Sequence, residues 1–209
     1  VTAEGERLDD AVAVSIERIG ELTASDKEFV AGLPLNQKTK ASMRNVYKVS
    51  LSRAVELMPG AVVASNNRMG KGFAVKDCRF GNNRSRGILI KASDGEISGN
   101  ELINTHMQSI KIAPEYHWLE SGFSRNVTIM NNTIINPGRE AIQIRGIGAF
   151  PGHENIRVLD NVVRTDVSPA MRIESVTNGR VAGNEIFNLD GSPLTDFIEV
   201  KFCQDLELP

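Results

Sequence analysis

Aromatic side chains are scarce, at 5% of the 209 residues, and Trp118 is the only tryptophan. So few rings argue against a bulky sandwich core. Cysteine is nearly absent too, and the two present, Cys78 and Cys203, cannot build a disulfide framework. In the repeat described below they stand about five coils apart, and at roughly 4.8 Å per coil they are too distant to bridge. Neither sign of charge dominates, with 24 Lys and Arg against 26 Asp and Glu, so nothing in the whole chain calls for nucleic acid or a membrane surface. No apolar run approaches the length of a membrane span. The three histidines lack metal-ligand spacing, and no P-loop, Gly-rich dinucleotide turn or Ser-His-Asp order occurs, so neither a metal nor a cofactor is expected. The opening VTAEGERL carries neither initiator Met nor signal peptide, and reads as the start of a piece of something longer.

What the chain does have is repetition. Gly87–Lys91 reads GILIK, Ser109–Ala113 SIKIA, Ala141–Arg145 AIQIR, Ala170–Glu174 AMRIE and Phe197–Lys201 FIEVK, each apolar at its second and fourth positions. Between these copies runs a second pattern, hydrophobe-x-x-Asn-x-hydrophobe, centred on Asn100, Asn132, Asn161 and Asn184 at intervals of 32, 29 and 23. Short strands recurring at this period with no helix signal predict an all-β solenoid over residues 61–209. Side chains alternate along a strand, so stacking predicts inward columns Ile88/Ile110/Ile142/Met171/Ile198 and Ile90/Ile112/Ile144/Ile173/Val200. The outward rows are then Leu89/Lys111/Gln143/Arg172/Glu199 and Lys91/Ala113/Arg145/Glu174/Lys201. The asparagines are expected inward at a corner, where stacked amides bond one another and the turn backbone.

Residues 1–60 do not follow the repeat. LDDAVAVSIERIGEL fits an alternating strand or a short amphipathic helix, and its β-branched residues favour strand. The following segment is polar and basic, then strand-like around Val46–Val55. A small β-rich cap or subdomain is expected, since an open solenoid end exposes edge strands.

Loop length singles out one side of the coils. APEYHWLESGFSR follows one strand copy and GIGAFPGHE the next, whereas the coil after has only SVTNG. Two long loops leaving the same end of adjacent strands should lie side by side and wall a groove. Its floor would present Lys111, Gln143, Arg145, Arg172, Glu174, Glu199 and Lys201. Its wall would present Glu115, Tyr116, His117, Trp118, Glu120 and His153. Trp118 suits stacking on the apolar face of a sugar, or pinning its own loop. Glu174 and Glu199, diagonal on neighbouring coils at about 7–8 Å between Cβ atoms, fit the 6.5–9.5 Å spacing of an inverting acid and base. They equally fit a charge ladder with Arg145, Arg172 and Lys201. Arg84 and Arg86, just before a strand at the other rim, can grip sugar hydroxyls or a carboxylate, or bind turn carbonyls.

Asn82–Ile90 (NNRSRGILI), Ile112–Gly122 (IAPEYHWLESG) and Asn126–Asn132 (NVTIMNN) together resemble right-handed parallel β-helix proteins. Among these the chain is similar to the α-1,3-galactosidases of glycoside hydrolase family 110, over about residues 60 to 190. That resemblance implies a right-handed parallel β-helix and exo-acting, inverting hydrolysis of terminal α-galactosides without a cofactor. It further implies an oligo- or polysaccharide partner and a bacterial protein that is secreted, periplasmic or on the cell surface. The family's catalytic aspartates, including an Asp-Asp pair, precede its Asn-Arg-x-Arg-Gly segment. Here the only upstream pair, Asp9-Asp10, lacks the expected continuation. The chain would then hold substrate-gripping residues Arg84, Arg86, Glu115, Trp118 and Glu120 in a C-terminal part of such an enzyme. Two other functions fit the residues. One is a polysaccharide lyase whose Lys111, Arg145 and Arg172 neutralise a uronate. The other is a glycan-binding or structural β-helix without turnover.

Overall fold

A computed structural model describes residues 1–2, 5–8 and 10–209. Asp9, one half of the Asp-Asp pair, lies outside the described residues. The segment from Gly70 onward is built almost wholly of short strands in three parallel sheets, which the chain visits in rotation. The first sheet stacks residues 88–90, 110–112, 142–144, 171–174 and 198–201. The second stacks 74–76, 95–98, 125–130, 153–159, 176–182 and 204–207. The third stacks 79–81, 101–103, 133–135, 162–164 and 185–187.

Register follows the repeat. Ile110 pairs with Ile88 and Ile142, and Ile142 with Met171, while Ile112 pairs with Ile90 and Ile144, and Ile144 with Ile173. Both columns are buried through the middle coils and join one core with Ile97, Ile129, Val158 and Val181 of the second sheet and Leu102, Ile134 and Val163 of the third. The columns loosen at the last coil, where Val200 is exposed.

The asparagine ladder forms as the spacing requires. Each Nδ2 of Asn100, Asn132 and Asn161 donates to the Oδ1 of the next at 2.9 Å. The same Oδ1 accepts the backbone N–H of the preceding asparagine at 3.0 Å. A second donation from each Nδ2 reaches a main-chain oxygen of the coil before, such as Ile97 O from Asn132 at 2.9 Å. Cys78 opens the ladder by donating its N–H to Asn100 Oδ1, and both cysteines are free. The residue before each ladder asparagine turns the corner with positive φ: Gly99, Asn131, Asp160 and Gly183. Glycine is needed at the two positions that follow an aspartate coil. A Cβ on Gly99 would stand 2.3 Å from Asp77 Oδ1, and one on Gly183 1.9 Å from Asp160 Oδ1.

The first sixty residues are less uniformly β than expected. Strand β1 (Ala13–Glu21) confirms the strand reading and pairs antiparallel with β2 (Asn45–Leu51). Between them lie helices α1 (Ala24–Gly32) and α2 (Gln37–Ser42). A capping box between Thr23 and Asp26 starts α1, and Asn36 caps α2 by accepting from Thr39 N–H. Of the described residues in this stretch only Gly5 and Leu35 are buried. Its ties run to the side of the stack rather than over its end: Asn36 N–H donates to His117 O at 3.0 Å, Arg7 pairs with Glu154, and Asp10 with Arg125.

Candidate functional site

The outer face of the first sheet carries the predicted rows in register, Leu89, Lys111, Gln143, Arg172 and Glu199 standing beside one another on successive coils. Over its second and third coils it is covered rather than an open floor. The Lys111 side chain is 8% exposed and Gln143 6%.

Part of the cover comes from the loop at residues 113–124. It runs through a single 3-10 turn, Tyr116–Trp118, bracketed by two non-glycine residues in the left-handed region, Glu115 and Leu119, each at φ 49°. This folds Glu115 back over the strand, so that Oε1 meets Lys111 Nζ at 2.9 Å and an Arg86 guanidinium nitrogen at 3.4 Å. Burial pushes the Glu115 carboxyl up. The Lys111 hydrogen bond and the charges of Lys111, Arg86 and Lys91 outweigh that, leaving it below the ordinary carboxylate value. Glu120 pairs with Lys91, whose main-chain oxygen accepts from Ser121 Oγ. His117 turns away from the sheet and donates Nδ1–H to Pro34 O at 2.6 Å. Trp118 remains 48% exposed at the loop's tip.

The second long loop lies against the first, as its position in the repeat predicts. Phe123, closing the first loop, packs on Gly146 and Gly152, which bracket the second. His153 does not line the wall. It is fully buried edge-on to Phe123, with Nδ1 accepting from Ser124 N–H at 3.0 Å and Nε2–H donating to Arg145 O at 3.1 Å. Burial holds its pKa down at about 4, so the ring is a neutral staple between the loop ends.

Further along the stack, Arg172 is the hub. Its guanidinium reaches Glu140 at 3.1 Å, Glu199 at 3.0 Å and Glu174 at 3.7 Å. Arg145, largely exposed, stands 3.9 Å from Glu174, and Lys201 pairs with Glu199. Glu174 and Glu199 are diagonal across neighbouring strands. The Lys201 hydrogen bond, with the charges of Arg172 and Lys201, lowers the Glu199 carboxyl.

Two residues that sequence reasoning passed over join this strip. Glu140 accepts from Gln108 Nε2 at 3.1 Å and is ion-paired with Arg172, whose Nε stands 3.1 Å away, and Gln108 is itself buried. With Arg86 they form a third row, two positions before the first inward isoleucine of each strand. Their only signal was that this position is polar in three consecutive coils. Arg84 is not part of the strip. It is exposed in a separate concavity of about 440 Å³ with Asn82, Asn104, Asn136 and His106, where the chain turns from the third sheet back to the first. Among the described residues, no group of three side chains is placed to hold a metal ion, and no helix is long and apolar enough to cross a membrane.

No family model matches the chain, and no solved structure matches it. Curated proteins do. An α-1,3-galactosidase A of Bacteroides thetaiotaomicron is 31% identical over 59% of this chain and 23% of its own length. One from Bacteroides fragilis is 26% identical over 79% of this chain and 31% of its own. One from Shewanella woodyi is 33% identical over 43% of this chain and 16% of its own. The chain therefore spans less than a third of the length of these relatives. Over the part it spans, the chain is similar to the α-1,3-galactosidases, as the arginine and tryptophan-loop motifs led one to expect.

Proposed function

We propose that this chain is the substrate-gripping part of a carbohydrate-active, right-handed parallel β-helix, a glycoside hydrolase acting on terminal α-galactosides by inverting hydrolysis. The observation that carries the reading is Glu115. A strained backbone conformation holds a carboxylate over Lys111 and Arg86, in a loop that also presents an exposed tryptophan. A carboxylate bridging two cations beside an aromatic platform offers donors, acceptors and a flat apolar surface to a sugar. The relatives' names support the substrate class. Gln143, Arg145 and Arg172 extend the grip along the sheet, and Arg84 and His117 stand beyond its two rims.

For catalysis within this chain the pair is Glu174 and Glu199. Glu199, held ionised by Lys201, suits the base that activates water. Purified protein should release the aryl group from an aryl α-galactoside, and Glu174→Gln and Glu199→Gln should each lower the rate at least about a hundredfold. Full activity in both variants would remove them from the chemistry. A second reading, glycan binding without turnover, is favoured because the strip's carboxylates Glu115, Glu120, Glu140, Glu174 and Glu199 are all ion-paired. Binding on a glycan panel with no aryl release would favour that reading.

A further inference from the structure

Half of the Trp118 side chain is in water, and among the described residues nothing hydrogen-bonds its indole or stacks on it. A ring so placed is aimed only by the backbone that carries it. On the sheet side that backbone is tied by Glu115, to Lys111 and Arg86, and by Glu120, to Lys91. On the other side His117 is held from outside the solenoid. Its main-chain oxygen accepts twice from Asn36, from the N–H at 3.0 Å and from Nδ2 at 2.5 Å, and its Nδ1–H donates to Pro34 O at 2.6 Å. Asn36 is itself fixed by starting α2: Oδ1 accepts from Thr39 N–H at 3.0 Å, and Nδ2 donates to Thr39 Oγ1 at 2.6 Å. Leu35, between Pro34 and Asn36, is the one buried side chain among the described residues of the first sixty.

We propose that Asn36, with the Pro34 main-chain oxygen, is a positioning residue for Trp118: residues 34–36 clamp His117 from outside while Glu115 and Glu120 hold the loop to the sheet, and the indole is presented between the two. The dependence runs from the first sixty residues to the loop. That stretch has other ties to the stack, Arg7 to Glu154 and Asp10 to Arg125. The turn Tyr116–Leu119 does not: among its described contacts, every hydrogen bond that leaves the turn and Glu115 goes to Pro34 or Asn36. Released from Asn36, the turn would keep its sheet-side ion pairs and lose the partner that fixes the ring's direction. The β1–β2 unit with its helices is then part of the aromatic platform, not only a neighbour of the coils. The aiming of the ring does not depend on what it meets; that it is aimed at a sugar rests on the carbohydrate reading above.

Because Trp118 is the only tryptophan, the fluorescence of the whole chain reports this ring alone. Anisotropy and acrylamide quenching are compared for the wild type, Asn36→Asp, His117→Phe and Ser42→Ala, with thermal unfolding by circular dichroism in parallel. Asn36→Asp keeps an oxygen to cap α2 but sets a carboxylate oxygen against His117 O. His117→Phe removes the bond to Pro34 O. Ser42→Ala loosens the far end of α2, where Ser42 Oγ donates to Thr39 O at 2.7 Å, and leaves the clamp alone. Losing one such bond should open the loop about three- to tenfold more often. Asn36→Asp and His117→Phe should therefore show lower anisotropy and stronger quenching, with unfolding of the stack unmoved, while Ser42→Ala matches the wild type. Wild-type fluorescence in both clamp variants would overturn the proposal. So would an equal change in Ser42→Ala, which would make helix stability the cause. Should Asn36→Asp fail to fold, His117→Phe decides. With an aryl α-galactoside, Asn36→Asp should raise KM about three- to tenfold and leave kcat in place. If the wild type cleaves nothing while the variants still free the ring, the carbohydrate reading fails and the clamp stands.

Discussion

Ile144 and Ile16 each sit inside a β-strand, yet Ile144 is wholly buried and Ile16 is 66% exposed. Ile144 pairs with Ile112 on one side and Ile173 on the other, inside a core shared by all three sheets. Ile16 pairs on one side only, with Val49, which is itself 48% exposed. Tyr47, two residues along β2 and on the same face, is exposed as well. The contrast separates two ways of holding a strand. In the stack every strand has its edges and inner face satisfied by copies of itself, so stability grows with each coil. The β1–β2 hairpin has no core of its own, and a lone hairpin is marginal in water. It is held at both ends: Pro34 and Asn36, in the helical connection, engage His117, and Arg7 and Asp10, before β1, meet Glu154 and Arg125.

The strongest way to break the comparison is Ile144→Asp. An uncompensated carboxylate between stacked coils costs several kcal/mol, on the order of a small domain's whole stability. The variant should be unfolded or aggregated at room temperature by circular dichroism. A folded protein of normal stability would contradict the inward assignment of the column.

The columns were legible because a strand's alternation survives in the sequence wherever one face is buried, and GILIK through FIEVK keep that alternation in every coil. The asparagine ladder was legible because a buried amide tolerates no substitute of the same shape and bonding. The corner residues before the ladder were hidden, since Gly, Asn and Asp alternate there for one shared reason, the left-handed backbone. Helix α1 was missed because ASDKEFVAG offers only Phe29 and Val30 as large apolar residues, too few for a helical stripe. Its one local signal was the capping box in TASD. In the site, Lys111 was read as part of an outward row and Arg86 as lying at the groove's other rim. What brings Glu115 onto them is a fold-back through Glu115 and Leu119 in the left-handed region, and neither residue type announces that conformation. Glu140 and Gln108 stand at the start of strands, where a turn interrupts the alternation.

A smaller effect sharpens the comparison at the place where the stack carries its long loops. His153 is buried neutral, with its pKa held down at about 4 against 6.5 in the unfolded chain. As pH falls through 6.5 the unfolded chain takes up a proton that the folded ring refuses, so this contribution is whole above 6.5 and drains away towards 4. The loss is at most about 3 kcal/mol across that window. It should appear as a steeper fall of unfolding free energy with acid in the wild type than in His153→Gln, measured by urea titration at steps from pH 7.5 to 4. Parallel curves would mean that His153 is not a neutral staple between the loops.

The smallest effect is expected at the other pole, in Ile16→Asp. A charge placed on a side chain already two-thirds in water should change unfolding free energy by no more than about 0.5 kcal/mol, against complete unfolding for the same substitution at Ile144. The two strands would then differ as sharply in energy as they do in burial. A loss above about 1 kcal/mol in urea titration would mean that the β1–β2 face is covered in solution, and the hairpin could no longer stand as the uncovered half of the comparison.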